Sequence, residues 1–211
     1  MFIRFYVLAL FFILVSFVYA SIPANHLIYD GQIEQREIKK FQRSLIAEEL
    51  TLYKDLQKYH HLDEQTRLQI AKYVPIYAIK YGVKMEVLYS VLWRETRFQH
   101  QTTHKPTYIK SLKKIVEAKG IGGVVCEFWC EDLKLQGIIR SESELYNLIP
   151  GIESTAFILG KLKDRGNLKG YNLEESILHR YYGKPKDSYY KQILSKAEQV
   201  RNDYFNLISS I

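Results

Sequence analysis

The chain has 211 residues, with 30 Lys and Arg against 23 Asp and Glu, a formal charge of +7 and 47% hydrophobic residues. That length suits one domain plus an appendage. The positive balance suits an anionic polymer or an acidic surface, yet no cluster of Lys and Arg interleaved with aromatics occurs, which excludes a dedicated nucleic-acid surface.

At the N-terminus Arg4 precedes an apolar run from Phe5 to Val18, and Val18-Tyr19-Ala20 forms a small-x-small cleavage site before Ser21. This composition is that of a secretory signal peptide over residues 1–20, which makes the protein exported and periplasmic. The run is short of the about 20 residues a membrane span needs, so an uncleaved inner-membrane anchor is the lesser alternative. With no cysteine near the cleavage site, a lipid anchor through that residue is excluded.

Residues 21–31 carry Pro, Asn and Gly and read as an irregular leader. From Gln32 to Tyr59 a long charged helix follows, with Ile38, Phe41, Leu45, Leu52, Leu56 and Tyr59 at near-heptad spacing. Its simplest role is to pack along the main domain; binding a cell-envelope partner is the sharper alternative. His60, His61 and Leu62 break the pattern. Asp63 then caps a helix toward Ala78 that Pro75 should kink or restart, and Gly82 stops it in a left-handed cap.

Gln99 to Tyr108 is a polar loop, and Ile109 to Ala118 reads as a basic amphipathic helix. Gly120 to Gly123 is a turn, Val124 to Leu133 an apolar helix, and three more helices cover Ile149–Leu162, Glu174–Tyr182 and Tyr189–Ile208. No sustained period-two alternation appears, so the fold class is mainly α. Cys126 and Cys130 stand four apart; on a helix such side chains are neighbours but poorly aimed for a disulfide. They read as buried small apolar residues, a local disulfide being the alternative.

The stretch Tyr81–Phe98 is the most informative. At about 100° per residue, Tyr81, Met85, Leu88, Val91 and Leu92 line one face, and Glu95 continues that apolar row. Burial disfavours an ionised carboxyl, which is what a general acid working near neutral pH requires. A helix that simply ends there, letting Glu95 reach solvent past the core, is the plain alternative.

Glu95-Thr96-Arg97-Phe98 after an apolar helix, Gly120-Ile121-Gly122-Gly123-Val124-Val125, and Ile177-Leu178-His179-Arg180-Tyr181-Tyr182-Gly183 occur in that order. Together they resemble three elements of the lytic transglycosylase family of SLT type, over roughly residues 66–195. The resemblance implies a lysozyme-like helical domain over 66–211, preceded by an N-terminal helical extension over 21–65. It implies that peptidoglycan glycan strands are the partner and that no cofactor or metal is used.

In that family the glutamate gives a proton to the glycosidic oxygen and then activates the sugar's own C6 hydroxyl. Carried over, Glu95 is acid and base, and Tyr181 orients it. Thr96 keeps a hydroxyl after the glutamate, while Gly120, Gly122 and Gly123 let backbone approach a sugar. Tyr182 departs from a usual asparagine. Cys126 takes the place of a sugar-contacting glutamine, and Glu117 that of a serine. Beside Glu95, Glu117 would make the enzyme a hydrolytic muramidase; on its own helix it would be merely solvated. A non-catalytic glycan-binding or assembly subunit of a cell-envelope machine is the third reading. Nothing in the sequence sets an oligomeric state.

Overall fold

The computed structural model describes residues 24–110, 112–183 and 187–210. Residues 1–20, expected to be a signal segment, lie outside them. Among the described residues the chain is mainly helical, with two small two-stranded sheets, and no helix is long and apolar enough to cross a membrane.

The chain divides into two compact units, one ending at Leu45 and one from Ile46 to Ile211. Helix α1, Ala24–Leu56, runs through this boundary, so the leader expected to be irregular is helical from Ala24 onward. Gly31 within it costs about 1 kcal/mol against alanine, too little to break a helix of this length. In the second unit, Leu52, Leu56 and Leu62 are buried. Residues 46–65 therefore belong with the main body rather than with the extension.

Helix α2, Glu64–Tyr81, starts where the Asp63 carboxylate accepts the Thr66 N–H at 2.6 Å, and ends at Gly82 with φ 61°. It continues through Pro75, whose ring is buried in the core, instead of restarting there. Helix α3, Met85–Thr96, is the central element, with Val87, Leu88, Tyr89, Val91 and Leu92 all buried. Tyr81 belongs to α2 rather than to this helix. Helix α5, Leu148–Lys163, packs on α2, while α7, Asp187–Ser209, packs on α3. Helix α6, Leu173–Tyr182, lies against α5 and opens with a capping box between Asn172 and Glu175.

One buried polar cluster ties the body together. Asp55, at the end of α1, accepts Tyr89 Oη and Lys196 Nζ, both at 2.7 Å, and Lys58 Nζ at 2.9 Å. Burial alone would raise the Asp55 carboxyl; bonds from Lys196, Lys58 and Tyr89 outweigh it and hold it below the ordinary value.

The segment 109–118 is not a helix. Strand β1, Thr107–Ile109, pairs antiparallel with β2, Lys114–Val116, placing Tyr108 opposite Ile115. Each alternating run is only three residues long, so a helical window across both mistakes a hairpin for an amphipathic helix. A second pair, β3 Ala118–Lys119 with β4 Val124–Val125, brackets the glycine turn, and α4, Cys126–Leu135, follows directly.

Candidate active site

Glu95 sits in the last turn of α3, where the chain leaves the helix through two consecutive left-handed residues, Arg97 (φ 55°) and Phe98 (φ 69°). Non-glycine residues there cost about 1–2 kcal/mol each. Fully buried Phe98, packed on Tyr89 and Tyr59 with ring centroids 4.8 and 5.2 Å away, offsets that strain. The helix end is thereby fixed, and the glutamate with it.

The Glu95 side chain is 10% exposed. Burial raises its carboxyl to about 7, against smaller opposing effects from the Tyr182 hydroxyl and the Arg94 guanidinium. The helix C-terminus acts in the same direction as burial, because its carbonyls disfavour an anion. A carboxyl of this kind is largely protonated below pH 6 and about half protonated near neutral pH.

The glycine turn meets this carboxyl at one residue. A Cβ on Gly123 (φ 64°) would collide with Glu95 Oε2 and come within 3.1 Å of His104 Nε2. The other two glycines do not face the site: Gly120 leaves room for the Leu145 carbonyl, and Gly122 for the Thr155 hydroxyl. Thr96 follows the carboxyl in the chain. It is buried, and its hydroxyl donates to the Ile121 carbonyl at 3.0 Å, tying the end of α3 to the turn.

The tyrosine pair divides its work differently from the expectation. Tyr181 Oη donates to the Gly122 carbonyl and so holds the turn rather than the carboxyl. Its neighbour Tyr182 faces Glu95: the two act on each other electrostatically, while no bond of good geometry satisfies the buried Tyr182 hydroxyl. Burial first, then the Glu95 charge, pushes both phenols far above their ordinary values, so both stay protonated. Tyr182 stacks edge-on to Tyr189, and the Arg94 guanidinium lies 3.8 Å over the Tyr189 ring.

Glu117 is exposed between β2 and β3, and its charge acts on Lys119; the groups acting on Glu95 are Tyr182 and Arg94. It is solvated, as expected of it away from Glu95, although it follows a hairpin and does not lie on a helix. Cys126 is joined to Cys130 with Cα atoms 4.6 Å apart, so it is no free thiol and makes no sugar contact of the kind a glutamine would. Cys126 is the first residue of α4, after extended Val125. The start of a helix lets the pair approach within disulfide range.

His104 was not singled out by its residue type or spacing. Its Nδ1 lies 3.7 Å from Glu95 Oε2, and its Nε2 is buried without a hydrogen-bond partner. Burial lowers its basicity, against a smaller opposing effect from the Gly120 backbone, so the ring is neutral at pH 7.

From Gly123 and the two tyrosines a groove of about 610 Å³ extends between α4, α5 and α6. Phe128, Trp129, Ile158 and Leu162 line it together with Asp132 and Arg165. Its mixture of aromatic faces and few polar groups is that of a ligand cleft. Trp129 and Arg165 are further residues that motif matching did not reveal.

The sequence matches no family model and no curated relative. Among solved structures, two of the Bdellovibrio protein DslA (Bd0314), one wild type and one a point variant, are similar at a TM-score of 0.40 and 17% identity. Each likeness covers 73% of this chain and 89% of the other, too slight to assign a family.

Proposed function

We propose that this is an exported, lysozyme-like lytic transglycosylase that cleaves the MurNAc–GlcNAc β-1,4 bond of peptidoglycan and leaves 1,6-anhydroMurNAc ends. The observation that carries this reading is a single desolvated carboxyl, Glu95, raised to about 7 and seated beside Gly123 at the edge of an aromatic groove.

Glycoside cleavage needs a proton on the departing oxygen and stabilisation of an oxocarbenium-like carbon. Protonated Glu95 supplies the first. As the C1–O bond breaks, its proton passes to the leaving oxygen and the carboxylate remains next to the developing positive charge. The carboxylate then removes the proton of the C6 hydroxyl as that oxygen bonds to C1, which restores the acid and adds no water. One carboxyl serves both steps, so the cycle closes without Glu117. Phe128, Trp129 and Tyr182 offer flat apolar faces to sugar rings, and the basic chain suits a polymer bearing peptide carboxylates.

The test is product analysis on purified sacculi. Wild type should release anhydro-muropeptides, and Glu95→Gln, which keeps the shape and loses the transferable proton, should release none. Reducing ends carrying added water would instead identify hydrolysis.

A further inference from the structure

We propose that His104 is a positioning residue for Glu95: its Nδ1–H donates to the carboxylate that forms once the acid's proton has moved to the leaving oxygen, and lets go when that proton returns. This rests on the reading of Glu95 as the acid and base.

The geometry points to a bond made in only one state of the cycle. At 3.7 Å from Oε2, Nδ1 stands beyond hydrogen-bond range of the resting carboxyl. A full negative charge on Oε2 would draw the donor in. Oε2 and Nε2 both converge on the place where a side chain at Gly123 would begin. Nε2 has no hydrogen-bond partner, and the Gly120 backbone is the other group acting on the ring.

The ring is carried by the same piece of backbone that carries the glycine. His104 N–H donates to the Ala118 carbonyl, Gly120 N–H to the Thr102 carbonyl, each at 2.9 Å, and Thr103 bridges Lys119. The segment 102–104 thus extends the β3–β4 pair, so the imidazole and the turn keep a fixed relation to each other.

The groups facing this pair are few. Glu95 faces His104 from α3, with the Gly120 backbone on the turn side. Arg94 on α3, with Tyr182 and Tyr181 on α6, faces Glu95. A neutral imidazole suits the task, because the charge of an imidazolium would stabilise the Glu95 carboxylate and leave the acid ionised before the glycan arrived. An interaction absent from the resting acid and present as its proton leaves accelerates the step, since it favours the transition state over the ground state. His104 keeps its own proton throughout, so the proton balance of the cleavage is unchanged.

The experiment follows the His104 ring carbons and nitrogens by NMR across pH in the full chain, in wild type and Glu95→Gln. In wild type the ring signals should shift a second time as Glu95 ionises, near pH 7, and that shift should vanish in Glu95→Gln. His104→Phe, which keeps a ring and loses the donor, should lower kcat about tenfold or more with KM within about twofold. It should also move the alkaline limb of the pH profile upward by about one unit, because the carboxylate has lost a donor. His104→Asn, with an amide donor, should recover part of both. Ring signals indifferent to Glu95→Gln, or a wild-type kcat and pH profile in His104→Phe, would overturn the positioning role while leaving Glu95 as the acid. Wild-type cleavage by Glu95→Gln would overturn the acid assignment, and the positioning role with it, whatever the ring signals show. The NMR comparison stands even if His104→Phe fails to fold.

Discussion

Gly123 makes room for Glu95: the carboxyl oxygen occupies the space in which a side chain at position 123 would begin. Gly123→Ala should therefore push the carboxyl out of place and strain a backbone at φ 64°. The strain costs about 1–2 kcal/mol, readable as a lowered Tm. Displacement of the acid by an ångström costs about 10²-fold in rate, readable as muropeptide release. Gly120→Ala and Gly122→Ala, which meet Leu145 and Thr155 instead, should lose mainly stability.

Glu95 also sets a pH dependence of stability that needs no substrate. Its folded value, about 7, lies above its ordinary value of 4.5. Between those values the unfolded chain ionises more readily than the folded one, so the residue costs stability increasingly as pH rises through that window. Glu95→Gln should equal wild type near pH 4 and exceed it by up to about 3 kcal/mol at pH 8. Denaturant melts at the two pH values measure the difference. A variant less stable than wild type at pH 8 would contradict the buried, raised carboxyl.

The positions of these groups were unequally legible. Helical phase alone set Glu95 on the apolar side of its helix, because three buried residues, Met85, Leu88 and Leu92, fix that face. Asp63 and Gly82 were legible for a similar reason, since capping chemistry is local. His104 was not. Its position depends on the bridge from Thr103 to Lys119 in β3, and nothing in residues 99–108 announces that pairing partner. The division between Tyr181 and Tyr182 was hidden too, for adjacent residues on a helix differ by about 100°, and motif order does not say which one meets the carboxyl. The segment around Glu117 was misread, a hairpin being taken for a helix, although the residue itself is solvated as expected.

Asp55 should govern acid stability. Asp55→Ala leaves Lys196, only 8% exposed, without its carboxylate, and losing one partner of a buried pair costs about 3–5 kcal/mol. Because the Asp55 carboxyl is held below its ordinary value, its contribution is present above the ordinary carboxyl range and lost as pH falls through the depressed value. The gap between Asp55→Ala and wild type should accordingly be wide at pH 7 and narrow in strong acid, as thermal melts would show. A gap independent of pH would contradict the charged pair.

The Cys126–Cys130 bridge clips the first turn of α4, which carries Phe128 and Trp129 into the groove wall. A loop this short contributes about 2 kcal/mol in the chain-entropy model. Replacing both cysteines by serine should lower stability by that amount, read as a Tm about 4–8 °C lower, and weaken retention on sacculi more than it lowers kcat. Unchanged retention would show that the bridge does not shape the groove.

The most direct measurement is mass spectrometry of the fragments that wild type and Glu95→Gln release from purified sacculi. The account predicts 1,6-anhydro ends from wild type and no soluble fragments from Glu95→Gln, with both proteins folded and sedimenting with the wall. Full release of anhydro fragments by Glu95→Gln would contradict it.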